Sequence, residues 1–150
     1  MKFTVQKDVL LEALQRTQNV VEKKNTLQIL SNVLLETNGQ ILSVTATDLE
    51  VGIKITVPVT ADGDGKVAVS AKNLFEIVKE LPNKPITFSK KENNWIEIAC
   101  HKSNFNIVGL AADEFPPLPS FENKNYFQVN TASAREMIDR TLFSVSTDET

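Results

Sequence analysis

FTVQKDVLLEALQRTQNVV at residues 3–21 returns in a diverged form, FQVNTASAREMIDRTLFSV, at residues 127–145. The two copies align without a gap at an offset of 124 residues, and they are identical at Phe3/Phe127, Val5/Val129, Glu12/Glu136, Arg16/Arg140, Thr17/Thr141 and Val21/Val145. Each copy has the pattern of a short strand followed by an amphipathic helix. The second copy stops soon after its helix, so the pattern predicts a piece of a repeat protein with a period near 124 residues.

The composition is typical of a globular protein and argues against several other classes. Hydrophobic residues make up 41% and charged residues 23% of the chain, and no apolar run has the length of a transmembrane helix or the pattern of a signal peptide. Cys100 is the single cysteine, so no internal disulfide can form, and we expect a cytoplasmic protein that does not meet a membrane. The net charge of -3 argues against indiscriminate nucleic-acid binding but permits a local basic face.

The first 119 residues contain two halves with the same order of predicted elements. Alternating apolar residues predict the strands, and the i, i+3, i+4, i+7 spacing predicts the helices. The first half is predicted to have a strand at 2–5, a helix at 7–21 and strands at 31–36, 40–47 and 51–59. After a loop at 61–65, the second half is predicted to have a strand at 66–69, a helix at 71–80 and strands at 86–90, 95–100 and 104–110.

Each half therefore has the order βαβββ, which predicts an α+β domain that ends at the proline-rich linker near residues 116–119. Placing both helices side by side on one face of antiparallel sheets buries both apolar stripes. Their polar faces would then form one outer surface, which carries the basic residues Arg16, Lys23, Lys24, Lys72 and Lys79.

Five short motifs give the chain a resemblance to a known family. They are MKFTV at residues 1–5, TLQIL at 26–30, TDLE at 47–50, SAK at 70–72 and DEFP at 113–116. Together they resemble the bacterial DNA sliding clamp, the beta subunit of DNA polymerase III, along the whole chain. The resemblance implies the sliding-clamp fold, with residues 1–119 as the first clamp domain and residues 120–150 as the opening strand and helix of an incomplete second domain.

The resemblance also implies a function without catalysis. Members of the family have three tandem domains, and two subunits close head to tail into a homodimeric ring around double-stranded DNA. Such a ring is a processivity factor: it tethers DNA polymerase III during DNA replication, is placed on DNA by a clamp loader, and needs no cofactor. The third domain and most of the groove for polymerase and loader are missing from this chain, so no ring is expected from these 150 residues.

Two sets of site residues follow from the resemblance. The family places a basic residue near DNA after the first helix, at the position of Lys24, and the candidate DNA-binding residues are Lys24, Lys23, Arg16, Lys72, Lys79, Arg135 and Arg140. The family's subunit interface uses the last strand and the second helix of the first domain, which gives the candidates Phe105, Ile107, Lys72, Glu76 and Lys79. An edge strand with apolar side chains and unpaired backbone groups favours pairing with another chain.

No catalytic or metal-binding constellation is recognisable in the residues themselves. His101 is the single histidine and is expected at the surface, whereas Cys100 continues the buried face of its strand. Asp48 and Glu50 fit a turn in which the aspartate accepts hydrogen bonds from backbone amides. Two other functions stay open. One is a metal-dependent nuclease with its site at Asp48, Glu50 and His101, and the other is a scaffold that binds a partner through the Phe105 edge and never contacts DNA.

Overall fold

The computed structural model describes residues 1–21, 27–118 and 127–145, which belong to two compact units, Met1–Leu118 and Pro119–Thr150. The strands of the first unit are β1 Lys2–Val5, β2 Asn32–Asn38, β3 Ile41–Thr47, β4 Gly52–Pro58, β5 Thr60–Asp62, β6 Gly65–Ser70, β7 Ile86–Lys90, β8 Trp95–Cys100 and β9 Ser103–Leu110. Its helices are α1 Lys7–Thr17 and α2 Ala71–Glu80, with short 3-10 turns at Gln28–Ser31, Glu92–Asn94 and Ala112–Glu114. The second unit has α3 Thr131–Thr141 and a 3-10 turn at Leu142–Ser144.

All paired strands of the first unit are antiparallel and follow the order β4-β3-β2-β6-β9-β8-β7-β1-β5. We call β4, β3, β2 and β6 sheet B, and β9, β8, β7, β1 and β5 sheet A. Only Gly109 and Leu110 of β9 pair with β6, so the two sheets join along a narrow seam. No helix within the described ranges is both long and apolar enough to cross a membrane.

The two halves of the first unit exchange their first strands. β1 pairs with β7 of the second half, where Phe3 lies opposite Phe88. In the same way β6, which opens the second half, pairs with β2 of the first half, where Val69 lies opposite Val33. Each half therefore supplies a strand to the sheet of the other, and neither half can complete its sheet alone.

Three details of the sequence prediction are wrong. The predicted loop at 61–65 contains β5, because Thr60–Asp62 pair with the free side of β1. The first helix ends at Thr17 and not near residue 21, because there the Thr17 carbonyl accepts from the Val20 amide, three residues on, as well as from the Val21 amide, both at 3.1 Å. Residues 127–130 do not form the predicted strand, since a strand needs a backbone partner and no described residue pairs with them.

The apolar stripes of both helices are buried, as the spacing predicts. Leu10 and Leu14 of α1 and Val78 of α2 are fully inaccessible and belong to one core with the inner faces of the sheets. Across the exchanged strands the rings of Phe3 and Phe88 stack with centroids 4.8 Å apart and an angle of 7° between their planes. The strand exchange is therefore anchored in the centre of the core.

The 124-residue repeat is visible in the bonds of the helices α1 and α3. Arg16 pairs with Glu12 at 2.6 Å, and the pair that corresponds to it, Arg140 with Glu136, has the same separation of 2.6 Å. Near the end of each helix the repeated threonine also donates its hydroxyl proton to a carbonyl three residues back, at 2.8 Å in α1 and at 3.2 Å in α3. The identities between the copies therefore correspond to a shared helix geometry.

Gly109 lies at the seam where β9 meets β6, and a Cβ there would collide with its neighbours. It would lie 2.6 Å from Val67 Cγ2 and 2.7 Å from the Asn94 carbonyl oxygen, which is backbone and cannot rotate away. We expect Gly109→Ala to lower the free energy of unfolding by about 2 kcal/mol in urea titrations. Gly52→Ala is the control, because its Cβ would meet only the rotatable side chain of Leu118; equal losses in both variants would contradict the prediction.

Candidate functional site

The helices α1 and α2 lie side by side and run in opposite directions, which confirms the prediction of one shared helical surface. At one end the Gln18 amide nitrogen donates to the Ala71 carbonyl at 3.4 Å, and at the other the Lys7 ammonium donates to the Lys79 carbonyl at 2.9 Å. Hydrogen bonds therefore join both ends of the pair. The outer surface of this pair is the candidate site for nucleic acid.

The arginines of the candidate DNA-binding set are engaged in exposed ion pairs. Arg16 pairs with Glu12, Arg140 with Glu136 and, more loosely at 3.6 Å, Arg135 with Asp139. Arg16 also lines a shallow depression with residues 55–57 of β4, so it lies on the β4 side of α1. Exposed pairs of this kind are weak and break easily, so a phosphate could still compete for the guanidinium groups.

The lysines of α2 are the freer cations in this set. Within the described part of the chain, neither Lys72 nor Lys79 forms an ion pair with a carboxylate. Lys72 lines an open groove of about 550 Å³ between the end of α1 and the start of α2, which also includes Phe75 and Glu76. An exposed ammonium without a carboxylate partner suits a phosphate. The candidates Lys23 and Lys24 lie outside the described residues.

The β9 strand provides an open edge. Residues 103–108 pair with β8 on one side, while β6 takes up only the last two residues on the other. No residue of β9 is charged, and Phe105 is 40% exposed. Phe105 lies opposite Ile98 and Ile107 opposite Ile96, which places both candidate interface residues on the side of the sheet that faces the core. Such an edge is suited to pairing with another strand.

The helical part of the candidate subunit interface is exposed. Lys72, Glu76 and Lys79 project from α2 into solvent, while Ala71, Leu74 and Val78 of the same helix are buried. The structure therefore places these three charged candidates on one accessible helix. It does not bring the candidates for a nuclease site together, since Asp48 and Glu50 lie in the β3–β4 turn of sheet B and His101 in the β8–β9 turn of sheet A.

Asp48 is a turn residue, as the sequence predicts. Its carboxylate accepts hydrogen bonds from the Val51 amide at 2.6 Å and the Glu50 amide at 2.9 Å, and these bonds hold the pKa of Asp48 below its usual range. They support Leu49 between them, whose φ of 81° lies in the left-handed region. Among the described residues no group of His, Cys, Asp and Glu side chains could hold a metal ion. Cys100 is buried, which confirms its predicted packing role.

Asp48 is expected to make the fold sensitive to acid. Its pKa is lower in the folded than in the unfolded chain, so its charge stabilises the fold above the unfolded value of about 3.9, and this contribution is lost as the pH falls through the folded-state pKa. In Asp48→Asn the amide oxygen can still accept both bonds but cannot titrate. We expect urea midpoints of this variant to fall less, as the pH is lowered below about 4, than those of the unmodified chain. The same flattening in Asp62→Asn, at another exposed carboxylate, would contradict this assignment.

Comparison with known proteins decides the family. The model for the DNA polymerase III beta subunit, N-terminal domain, matches residues 1–119. The chain belongs to this family. Its beta-subunit relatives include the Beta sliding clamp of Caulobacter vibrioides, 37% identical over 153 residues, and that of Bacillus subtilis, 33% identical over 158 residues. These alignments cover 100% of this chain but only 41% and 42% of the relatives, so the chain spans about two fifths of their length.

Similarity to solved structures supports the same family assignment. The sliding clamp from Bacillus subtilis superposes with a TM-score of 0.95 at 33% identity, covering 100% of this chain and 42% of the other. The sliding clamp from Caulobacter crescentus superposes with a TM-score of 0.93 at 37% identity, covering 100% and 41%. The predicted fold, helices on antiparallel sheets in the sliding-clamp arrangement, is therefore confirmed.

The positions of two residues at these surfaces were not predicted from the sequence. Val108 is 56% exposed on β9, on the opposite face of the strand from Phe105 and Ile107, and strict alternation along β9 could have identified it. Lys7 bonds to the end of α2, and the signal available was a lysine at the first position of a helix, where a cation is disfavoured.

Proposed function

We propose that this chain is the N-terminal part of a sliding clamp, a ring that encircles duplex DNA and tethers the replicative polymerase. Residues 1–119 form the first clamp domain, and residues 120–150 open the second. The whole protein is a homodimer in the cytoplasm that works with DNA polymerase III and a clamp loader and catalyses no reaction itself. The superposition of the complete chain on solved sliding clamps carries this proposal.

The work of such a ring is topological, and the charges of this chain suit that role. A closed ring cannot leave circular DNA, so each contact with a phosphate can be weak enough to permit sliding. The net charge of -3 disfavours indiscriminate binding to DNA, while Lys72 and Lys79 offer ammonium groups on the helical surface. These contacts are sequence-independent and sensitive to salt.

The β9 edge supplies the means of closing the ring. Its backbone groups at residues 103–108 can continue sheet A into a partner, and Phe105 and Ile107 bring apolar surface to the same contact. The absence of charge along β9 means that no ion has to lose its water when the strands meet. The exposed charged residues of α2, which the proposal also assigns to the subunit interface, would then help to select the partner subunit.

A chimera tests the proposal. Residues beyond 118 are replaced by the matching remainder of the Caulobacter vibrioides relative, and the mass in solution is measured by light scattering beside that of the 150-residue chain. We expect a dimeric chimera that, once the clamp loader of the same relative has placed it on nicked circular DNA, is retained there and is lost when the circle is cut. A monomeric chimera, or a dimer that circular and linear DNA release equally fast, would overturn the proposal.

The salt dependence of the chimera tests the DNA-facing surface. Each phosphate contact contributes about -0.9 to the slope of log K against log salt concentration, so Lys72→Ala should make the slope of equilibrium binding less steep by about one contact. Lys54→Ala removes the same charge from β4, and we expect it to leave the slope unchanged. A smaller slope in both variants, or in neither, would contradict the assignment of Lys72 to DNA.

A further inference from the structure

The C-terminus of α2 lacks the caps that helices usually carry. Its C-cap residue, Leu81, has an extended conformation with φ -65° and ψ 153°, and Pro82 follows. The helix therefore does not end in the left-handed glycine turn that often satisfies the last carbonyl groups. The Lys7 ammonium takes over this task. It donates to the Lys79 carbonyl at 2.9 Å and also to the Leu81 carbonyl. The end of α2 is therefore capped by a side chain from another helix.

Lys7 is unfavourably placed for its own helix. It is the first residue of α1, where the positive end of the helix dipole disfavours a cation, and the preceding residue, Gln6, provides no side-chain cap. The same ammonium lies at the negative end of the dipole of α2, where a cation is favoured. The local cost at α1 is thus offset by a favourable contact at the end of α2.

The contact controls where α2 lies. The Gln18 amide bonds to the Ala71 carbonyl at the opposite end of the pair, so α1 holds both ends of α2. Both acceptors are backbone groups, so these bonds constrain the helix itself and not a particular side chain. Of the two, the bond from Gln18 is long at 3.4 Å and neutral, and the bond from charged Lys7 is the stronger constraint.

We propose that Lys7 is a positioning residue for the exposed surface of α2, which carries Lys72, Glu76 and Lys79. By capping the last turn, Lys7 fixes the C-terminal end of the helix and thereby the point from which the Lys79 side chain projects into solvent. The consequence for subunit association rests on the proposed function, while the cap itself does not. Lys7 acts through α2, so its role differs from that of a cation that meets a phosphate directly.

Hydrogen exchange on the 150-residue chain tests the cap. Lys7→Met keeps the length of the side chain but removes the charge and the donors, and we expect amides of residues 78–81 to exchange about tenfold faster. Lys7→Arg keeps both and should restore most of the protection. The matched control is Val44→Ala on β3 of sheet B, which weakens the core from a strand that pairs with β2 and β4 and not with β9. If Lys7→Met and the control speed exchange in the same amides, or Lys7→Met changes nothing, the proposal fails.

The chimera then tests the consequence. We expect Lys7→Met to weaken association of the chimera about tenfold, with Lys7→Arg close to the unmodified protein and the control Val44→Ala unchanged. A local exchange effect without weaker association would reduce Lys7 to a structural cap and overturn the positioning role. A chimera that never dimerises would instead refute the proposed function, and the exchange experiment would still decide the cap.

Discussion

Phe105→Lys is expected to weaken association of the chimeric subunits at least about a hundredfold. The substitution removes an aromatic side chain from the β9 edge and places an ammonium in the proposed contact, so binding would have to desolvate an unpaired charge. Because Phe105 is 40% exposed in the unassociated chain, the fold itself should tolerate the change. Sedimentation or light scattering over a range of concentrations gives the dissociation constant.

Ile41→Lys is the matched control for this substitution. Ile41 is also an apolar strand residue, 50% exposed, but it lies at the start of β3 in sheet B and away from the β9 edge. We expect its dissociation constant to stay within a few-fold of the unmodified value. Dimers that survive Phe105→Lys, or that dissociate equally in Ile41→Lys, would place the subunit interface elsewhere.

Phe88→Ala is expected to lower the free energy of unfolding by about 4 kcal/mol. Phe88 is 1% exposed on β7, between the exchanged strand β1 and β8, and its ring stacks on Phe3. Removing it leaves a cavity in the core and also loses the aromatic pair. Because single domains are stable by about 5–15 kcal/mol, this one change removes a large share of the total.

Urea unfolding followed by the fluorescence of Trp95, the single tryptophan, measures this loss. Phe127→Ala serves as the control, since Phe127 is 86% exposed and its loss should change stability by less than about 0.5 kcal/mol. The double variant with Phe3→Ala should show a coupling of about 1 kcal/mol between the two rings. A cost below about 2 kcal/mol for Phe88→Ala would mean that the core collapses around the cavity, against this prediction.

The sequence allowed most elements to be predicted, because their signals are local. Apolar spacing identifies α2 with its buried Leu74 and Val78, and Asn38-Gly39 marks the β2–β3 hairpin, where Gly39 has a φ of 57°. β5 was not predicted, because Asp62 and Gly63 are residue types that are common in turns and only the pairing with β1 makes this segment a strand. Local pattern could not reveal that tertiary partner.

The strand exchange and the ion pairs of the candidate site could not be predicted from the sequence, for a related reason. Alternation tells which face of β1 is apolar but not that its partner is β7 and not β2. Likewise the sequence shows that Arg16 lies on the polar face of α1, but its ion pair with Glu12 depends on rotamers. Lysine is usually a solvent-exposed residue, and only the packing of α2 beside α1 provides hydrogen-bond acceptors for Lys7.

The exchanged strand also bears on how the chain is made. β1 leaves the ribosome well before its partner strand β7, because Thr4 bonds to Thr87, which follows 83 residues later. Until β7 has been synthesised, β1 can pair only with the short strand β5, and Phe3 lacks its stacking partner Phe88. Sheet A can therefore close only near the end of translation of this domain, so a nascent chain halted before β7 should remain open to proteases and to chaperones that recognise exposed apolar strands.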